Sequence, residues 1–383
     1  MTEVTRPRLV IYSVVILVIA FLACEIVAQV AFRLKYREPP QVFGKRTFAQ
    51  VERYMSDHPY LPYIATEGRA YVNKDSWGTT APVTFNSLGD RGPEPDVPKR
   101  RVRIIAFGGS TTFGAPSPLD ETWPWLLQKY LGDDRFEVIN AAQNGATTAD
   151  TLVNLALIHI DLEPDYIVIY HGTNDLESSF APGFKADYSH RRRKIASVPP
   201  IFETLPRALD YSAQFVLLRN AILGNRAYGD LWSRYTRNTD YDFERGPFGL
   251  ATFQRNLKNI IAIANANGAH VVVGTFQYHK QWAADNVSPE FADAWERGLA
   301  QQNQIVRQLA DSDYDVMVTD VANFFQPTSE TLWDFCHLTA RGNSKVAEAF
   351  AETISRHIEV QNAGDRVAIN SGPLGPSASP PAR

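Results

Sequence analysis

Cysteine is nearly absent: the 383 residues include only Cys24 and Cys336. Two cysteines exclude a disulfide framework and a four-cysteine metal site. Cys24 also lies in an apolar segment that reads as lipid-embedded, so the pair is not expected to bridge. Neither His-Glu-x-x-His nor Cys-x-x-Cys spacing occurs, although there are eight histidines. A metal enzyme is therefore disfavoured, and no metal or cofactor is expected. Positive charge is not in excess either, since 38 lysines and arginines against 42 acidic residues leave a net charge of -4. No basic run is interleaved with aromatics, so nucleic acid is not the default partner. A hydrophobic content of 44% and a charged content of 21% are ordinary for a globular enzyme, and the length suffices for one large domain or two small ones.

The chain has one long apolar run. Leu9 to Phe32 is almost continuously apolar, with Arg6 and Arg8 before it and Arg33, Lys35 and Arg37 after. About 20 such residues span a bilayer core, so residues 9-32 read as a transmembrane helix within an anchor of residues 1-37. The competing reading is a cleaved signal peptide, but the run exceeds an h-region and no small-x-small site ends it. Phe21-Leu22-Ala23-Cys24 distantly resembles a lipoprotein box, yet apolar sequence continues past Cys24. Glu25 reads as an interfacial or protonated carboxyl rather than a functional site. Basic residues flank both ends, so the positive-inside rule does not orient the helix. The catalytic domain is expected to lie outside the cytoplasm.

Residues 38-100, rich in proline, glycine and aromatics, read as an arm and linker. Within them Asn86-Ser87-Leu88-Gly89-Asp90-Arg91-Gly92-Pro93-Glu94 reads as a tight turn docked on the next domain. From Val102 a βα rhythm begins. Strands are predicted at Val102 to Phe107, Phe136 to Asn140, Tyr166 to Tyr170, His270 to Thr275 and Val316 to Thr319. Helical patterns fall around Trp123 to Leu131, Ala149 to Ile160, Phe253 to Ala266, Glu290 to Leu309 and Asn343 to Ile358. Short apolar strands alternating with amphipathic helices predict an α/β fold, a doubly wound parallel sheet of about five strands over residues 101-360. An insertion at about 177-249 carries His190-Arg191-Arg192-Arg193-Lys194, which reads as solvated surface charge. Residues 361-383, rich in Pro, Ser, Gly and Ala near the end, read as a disordered tail.

Four segments fall at ends of predicted strands, where ligands of such sheets sit. In Gly108-Gly109-Ser110-Thr111 a buried strand hands a serine hydroxyl to a turn. Asn140 to Asp150 turns through Gly145, whose backbone can approach a substrate closely and donate its N–H to an oxyanion. In His171-Gly172-Thr173-Asn174-Asp175 a carboxamide at a strand end can donate to developing negative charge, and Asp175 can bond nearby backbone. His171 reads as a supporting residue, because no carboxylate is placed in sequence to orient it. In Asp334-Phe335-Cys336-His337 a carboxylate and an imidazole three residues apart can supply the base and its orienting partner that a serine nucleophile needs. Cys336 between them reads as a buried inert thiol.

Gly108-Gly109-Ser110, Gly145, Gly172-Thr173-Asn174-Asp175 and Asp334 with His337 resemble, in order and spacing, the four blocks of the SGNH (GDSL-like) hydrolase family, over roughly Arg101 to His357. The resemblance implies a flavodoxin-like fold and metal-free ester or acyl hydrolysis. It further implies that Ser110 is the nucleophile, that Asp334 and His337 complete a triad, and that the backbone N–H groups of Ser110 and Gly145 form the oxyanion hole with the Asn174 side chain. One departure is that Gly109 stands where the family carries an acidic residue. The Asn86 to Glu94 turn also resembles the arm of membrane-anchored bacterial members. These features lead to the expectation of a serine esterase acting on a small-molecule or glycan ester; the alternatives are an O-acyltransferase acting on a glycan and a non-catalytic, membrane-tethered glycan-binding protein, against which the intact nucleophile, base, orienter and oxyanion donors argue. The acyl group, the alcohol and the oligomeric state are not encoded in any motif.

Overall fold

The computed structural model describes residues 6–36, 40, 55–56, 58–61, 64–65, 67–71, 82–114, 116–190, 209, 211–223, 241–243 and 249–370. They fall into two compact units, one comprising 1–89 with 192–240 and the other 90–191 with 241–383. The second unit thus begins ahead of the boundary expected at 101. The basic residues 191–194 and the chain after 370 lie outside the described residues.

In the first unit, helix α1 (Arg6–Tyr36) contains Val10–Leu34, 25 residues long and apolar enough to cross a membrane. Two antiparallel pairs come next, β1 (Met55–Ser56) with β2 (Ile64–Ala65) and β3 (Gly68–Tyr71) with β4 (Pro82–Phe85). Glu25 has a structural role that its sequence context did not reveal. Its carboxylate accepts bonds from Ala213 N (2.6 Å), Gln214 N (3.2 Å) and Ser212 Oγ (2.9 Å), so it caps the helix Ala213–Leu223. A helix start exposes unpaired N–H groups and favours negative charge, and Glu25 supplies both acceptor and charge. Gln29 adds a bond to Tyr211 O at 2.7 Å, and Phe32 packs on Ala213 and Val216.

The second unit is built on five parallel strands, β5 (Val102–Gly108), β6 (Phe136–Asn140), β7 (Tyr166–Tyr170), β8 (His270–Gly274) and β9 (Val316–Thr319), in the order β6-β5-β7-β8-β9. This is the flavodoxin-like order, and the α/β class is as expected. All five residues of β7 are buried, which continuous apolar strands require when helices cover both faces. On one face Ile105, Phe107, Ile167 and Val271 pack against Leu257, Ile260 and Ile261 of the helix Leu250–Ala266. On the other, Trp123 stacks on Phe350 with ring centroids 5.0 Å apart. Each such side chain contributes roughly 1.5–3 kcal/mol on burial.

Helix α2 (Ser110–Phe113) follows β5, α3 (Trp123–Leu131) precedes β6, α4 (Thr148–Asn154) follows β6, and α5 (Thr173–Phe180) follows β7. The pattern predicted over Ala149 to Ile160 is α-helical only to Asn154. It then widens into a π turn over Leu155–His159, which brings His159 Nε2 within 2.9 Å of both Asp90 carboxylate oxygens. The final helix, α6 (Ala340–Asn370), is longer than its pattern at both ends. Thr339 Oγ1 accepts the Gly342 N–H and starts it, and the stop signal Gly372-Pro373 comes only after Asn370. Residues 361–370 are therefore helix rather than tail.

Candidate active site

The chain order of the sheet reverses around β5, whose neighbours are β6 and β7, and Ser110 follows the carboxyl end of β5 at that switch point. Glycine is required before it: a Cβ on Gly108 would lie 2.6 Å from Tyr170 O and 2.0 Å from Thr112 Oγ1. The single turn of α2 closes at Gly114, whose φ of 85° lies in the left-handed region and whose N–H bonds Ser110 O at 2.9 Å.

His337 comes from the loop before α6. Its Nε2 is 2.8 Å from Ser110 Oγ, and its Nδ1 is 2.7 Å from Asp334 Oδ2. The other Asp334 oxygen accepts the backbone N–H groups of Cys336 and His337, each at 2.8 Å. Those bonds fold the Asp-x-x-His segment so that carboxylate and imidazole meet. Burial alone would push the Asp334 carboxyl up, but the neighbouring imidazole and the two N–H donors outweigh it and hold it below the usual carboxylate range. An ionised Asp334 takes the Nδ1 proton as its hydrogen-bond donor, leaving Nε2 to accept from the Ser110 hydroxyl. Cys336 Sγ lies 3.6 Å from His337 Nδ1. Burial, reinforced by Asp334, pushes its thiol well up, so it stays protonated and unreactive. Asp334, Cys336 and His337 are also close enough to share a cation, but with Nε2 directed at Ser110 and the thiol protonated they present no ready ligand set.

Asn174, in the first turn of α5, donates from Nδ2 to Ala146 O at 2.9 Å. The same amide nitrogen fills the space where a Gly109 side chain would be. Gly145, next to that acceptor, turns the chain with φ 75°. The structure thus joins Ser110, His337 and Asp334 by direct bonds, and ties Asn174 to both the residue before Ser110 and the residue after Gly145.

Asp175 is fully buried. Its carboxylate accepts Thr148 N at 3.1 Å on each oxygen and Thr148 Oγ1 at 2.5 Å, pinning the start of α4 just beyond the Gly145 turn. Burial pushes this carboxyl up to about 7. His171 needs one correction, because a carboxylate does lie one turn away: Asp175 Oδ2 is 3.8 Å from His171 Nδ1. That exceeds a hydrogen bond, and His171 Nε2 pairs with Thr151 Oγ1 at 2.7 Å. Burial pushes this imidazole down to about 3, so it remains neutral.

Two residues with no evident role in the sequence hold the serine turn. Arg91 is 2% exposed, and its guanidinium donates to Phe113 O and Ser117 O, both at 2.6 Å. Burial pushes Arg91 down to about 10. Asn140 Nδ2 donates to Thr112 O at 3.1 Å and, at 3.3 Å, to Phe113 O, while Asn140 O accepts the Arg91 N–H. The carbonyls at the end of α2 lack intrahelical partners, and these donors supply them.

A strand-end serine bonded to a His–Asp pair on a flavodoxin-like sheet is an arrangement used by serine hydrolases. The GDSL-like Lipase/Acylhydrolase family profile matches residues 106–345, and the chain belongs to that family. No curated protein matches significantly. Among solved structures, the chain is similar to a putative lipolytic protein of the G-D-S-L family from Desulfitobacterium hafniense, at 14% identity and a TM-score of 0.37, covering 66% of this chain and 99% of that one. It is similar to a member of the lipolytic G-D-S-L family from Veillonella parvula, at 14% identity and a TM-score of 0.40, covering 66% and 98%. It is also similar to a carbohydrate acetylesterase family member from Sinorhizobium meliloti, at 17% identity and a TM-score of 0.40, covering 66% and 96%.

Proposed function

We propose that this protein is a serine esterase that cleaves an ester bond of a small molecule or glycan through an acyl-enzyme. The observation that carries the reading is the continuous path from Ser110 Oγ through both ring nitrogens of His337 to Asp334, with bonds of 2.8 and 2.7 Å. Ser110 Oγ attacks the ester carbonyl carbon as its proton passes to His337 Nε2, and Asp334 stabilises the imidazolium. Negative charge gathers on the former carbonyl oxygen, where the N–H groups of Ser110 and Gly145 and the Asn174 amide donate to it. The carbon–oxygen bond to the alcohol breaks as His337 returns its proton to the departing oxygen. Water, deprotonated by His337, then attacks the acyl carbon, and Ser110 leaves with a proton.

The apolar span Val10–Leu34 serves in this reading as an uncleaved membrane anchor, with the catalytic domain outside the cytoplasm. A fluorophosphonate probe tests the nucleophile. A single adduct on Ser110, absent from Ser110→Ala, is the expected result, and an unlabelled wild-type protein would overturn the reading.

A further inference from the structure

We propose that His270 and His357 form a binding site for a borderline divalent cation, of which Zn²⁺ is the representative, at the edge of the sheet opposite Ser110. His270 is the first residue of β8, Tyr166 the first of β7, and Asp315 immediately precedes β9. His357 and Gln361 lie one turn apart on α6. The two imidazole rings meet edge to face, with centroids 4.5 Å apart.

Their hydrogen bonds fix what each nitrogen does. Gln361 Nε2 lies 3.2 Å from His270 Nε2 and 3.3 Å from His357 Nε2. An amide nitrogen only donates, so both Nε2 atoms accept and both rings carry their proton on Nδ1. The other contacts agree: His270 Nδ1 is 2.6 Å from Asp315 Oδ2, and His357 Nδ1 is 3.0 Å from Tyr166 Oη.

Two imidazole lone pairs therefore converge on one point, now filled by the amide nitrogen of an exposed, long side chain. A metal ion at that point accepts both lone pairs, at about 2.0–2.1 Å for zinc, where an amide offers only weak N–H donors. The surrounding bonds are those of a metal site. Asp315 behind His270 makes a carboxylate–histidine pair that fixes that ring's tautomer and orientation, and Tyr166 holds the second ring. Asp315 lies on the Nδ1 side of His270, with a carboxylate oxygen 2.6 Å away, and contributes through that ring rather than as a direct ligand. Rotation of the Gln361 amide offers its oxygen as a third ligand. A pair of imidazoles selects zinc, nickel or copper over calcium and magnesium, which prefer oxygen. The residues come from four separate segments, so no contiguous motif in the sequence marks the site. Bound metal clamps the far half of α6, the helix that starts three residues after His337, to strands β7 and β8.

The test is calorimetric titration of untagged, chelator-treated full-length protein in detergent with Zn²⁺, with Co²⁺ absorption as an independent readout. One saturable equivalent is expected, together with a rise in thermal midpoint. His270→Ala and His357→Ala should each abolish both signals, and Asp315→Asn should weaken binding by about 10- to 100-fold. Gln361→Glu, at an exposed position, should tighten binding by supplying a carboxylate. His337→Ala should leave the stoichiometry at one, which separates this site from the Asp334 cluster. Absence of saturable binding, or binding unchanged in the double variant His270→Ala/His357→Ala, would overturn the proposal.

Discussion

A side chain at Gly109 would begin 2.1 Å from Asn174 Nδ2, so the glycine after β5 and the carboxamide at the start of α5 share one small space. Asn174 is held there by its bond to Ala146 O. The amide cannot yield to a Cβ without leaving the position beside Ser110. Gly109→Ala should therefore act like Asn174→Ala and lower turnover of a short-chain nitrophenyl ester by on the order of a hundredfold to a thousandfold, with a modest change in KM. The double variant should be little worse than either single one if Asn174 is the proposed oxyanion donor, because both changes displace the same amide. Near wild-type kinetics for Gly109→Ala would contradict this link.

Asp334→Asn separates geometry from charge. The remaining Oδ1 still accepts the N–H groups of Cys336 and His337, so the loop and the thermal midpoint should be preserved. The imidazole, however, loses the acceptor that keeps its proton on Nδ1. A drop in kcat on the order of ten-thousandfold is expected by steady-state kinetics, with unchanged circular dichroism.

Arg91→Met leaves the carbonyls of Phe113 and Ser117 without their guanidinium donors in a buried setting. Phe113 O keeps its 3.3 Å bond from Asn140 while Ser117 O loses its guanidinium donor, and an unsatisfied carbonyl costs about 1–3 kcal/mol, partly offset by no longer burying a charge. A net loss of roughly 1–2 kcal/mol is expected in denaturant unfolding, and turnover should fall as the turn carrying Ser110 loosens. An unchanged midpoint would contradict a supporting role for Arg91.

His171 gives a pH dependence of stability. Its folded value is pushed down to about 3 from 6.5, so the unfolded chain binds this proton first as pH falls. Its stabilising contribution is therefore complete above about 6.5 and is lost progressively as pH falls from there through about 3. Asp175, pushed up to about 7, acts in the opposite direction, gaining stability as pH falls from about 7 towards 3.8. His171→Asn removes only the first effect. The thermal midpoint of the variant should decline less between pH 6.5 and 4 than that of the wild type, and parallel curves would contradict a neutral buried His171.

Much of the second unit was legible because its strands are short, apolar and punctuated. Phe136–Asn140, Tyr166–Tyr170 and Val316–Thr319 have the bounds their patterns indicated. The helix after β6 was not, since a π turn leaves apolar spacing almost unchanged while rotating His159 towards Asp90. The family blocks pointed to Ser110, Gly145, Asn174, Asp334 and His337, but the packing of Asn174 against Gly109 depends on two loops meeting at a sheet edge. Arg91 was hidden for a similar reason: an arginine in a turn usually faces water, and only the tertiary structure shows carbonyls waiting for it. Glu25 looked like an isolated intramembrane carboxyl because its partners lie far along the chain, at residues 212–214.

Hydrolysis of p-nitrophenyl acetate by the full-length protein in detergent, wild type against Ser110→Ala, asks whether Ser110 is the nucleophile. Turnover by the wild type with an acyl-enzyme burst is expected, and a loss on the order of a thousandfold or more in the variant at unchanged thermal stability. Full activity in Ser110→Ala would contradict the assignment.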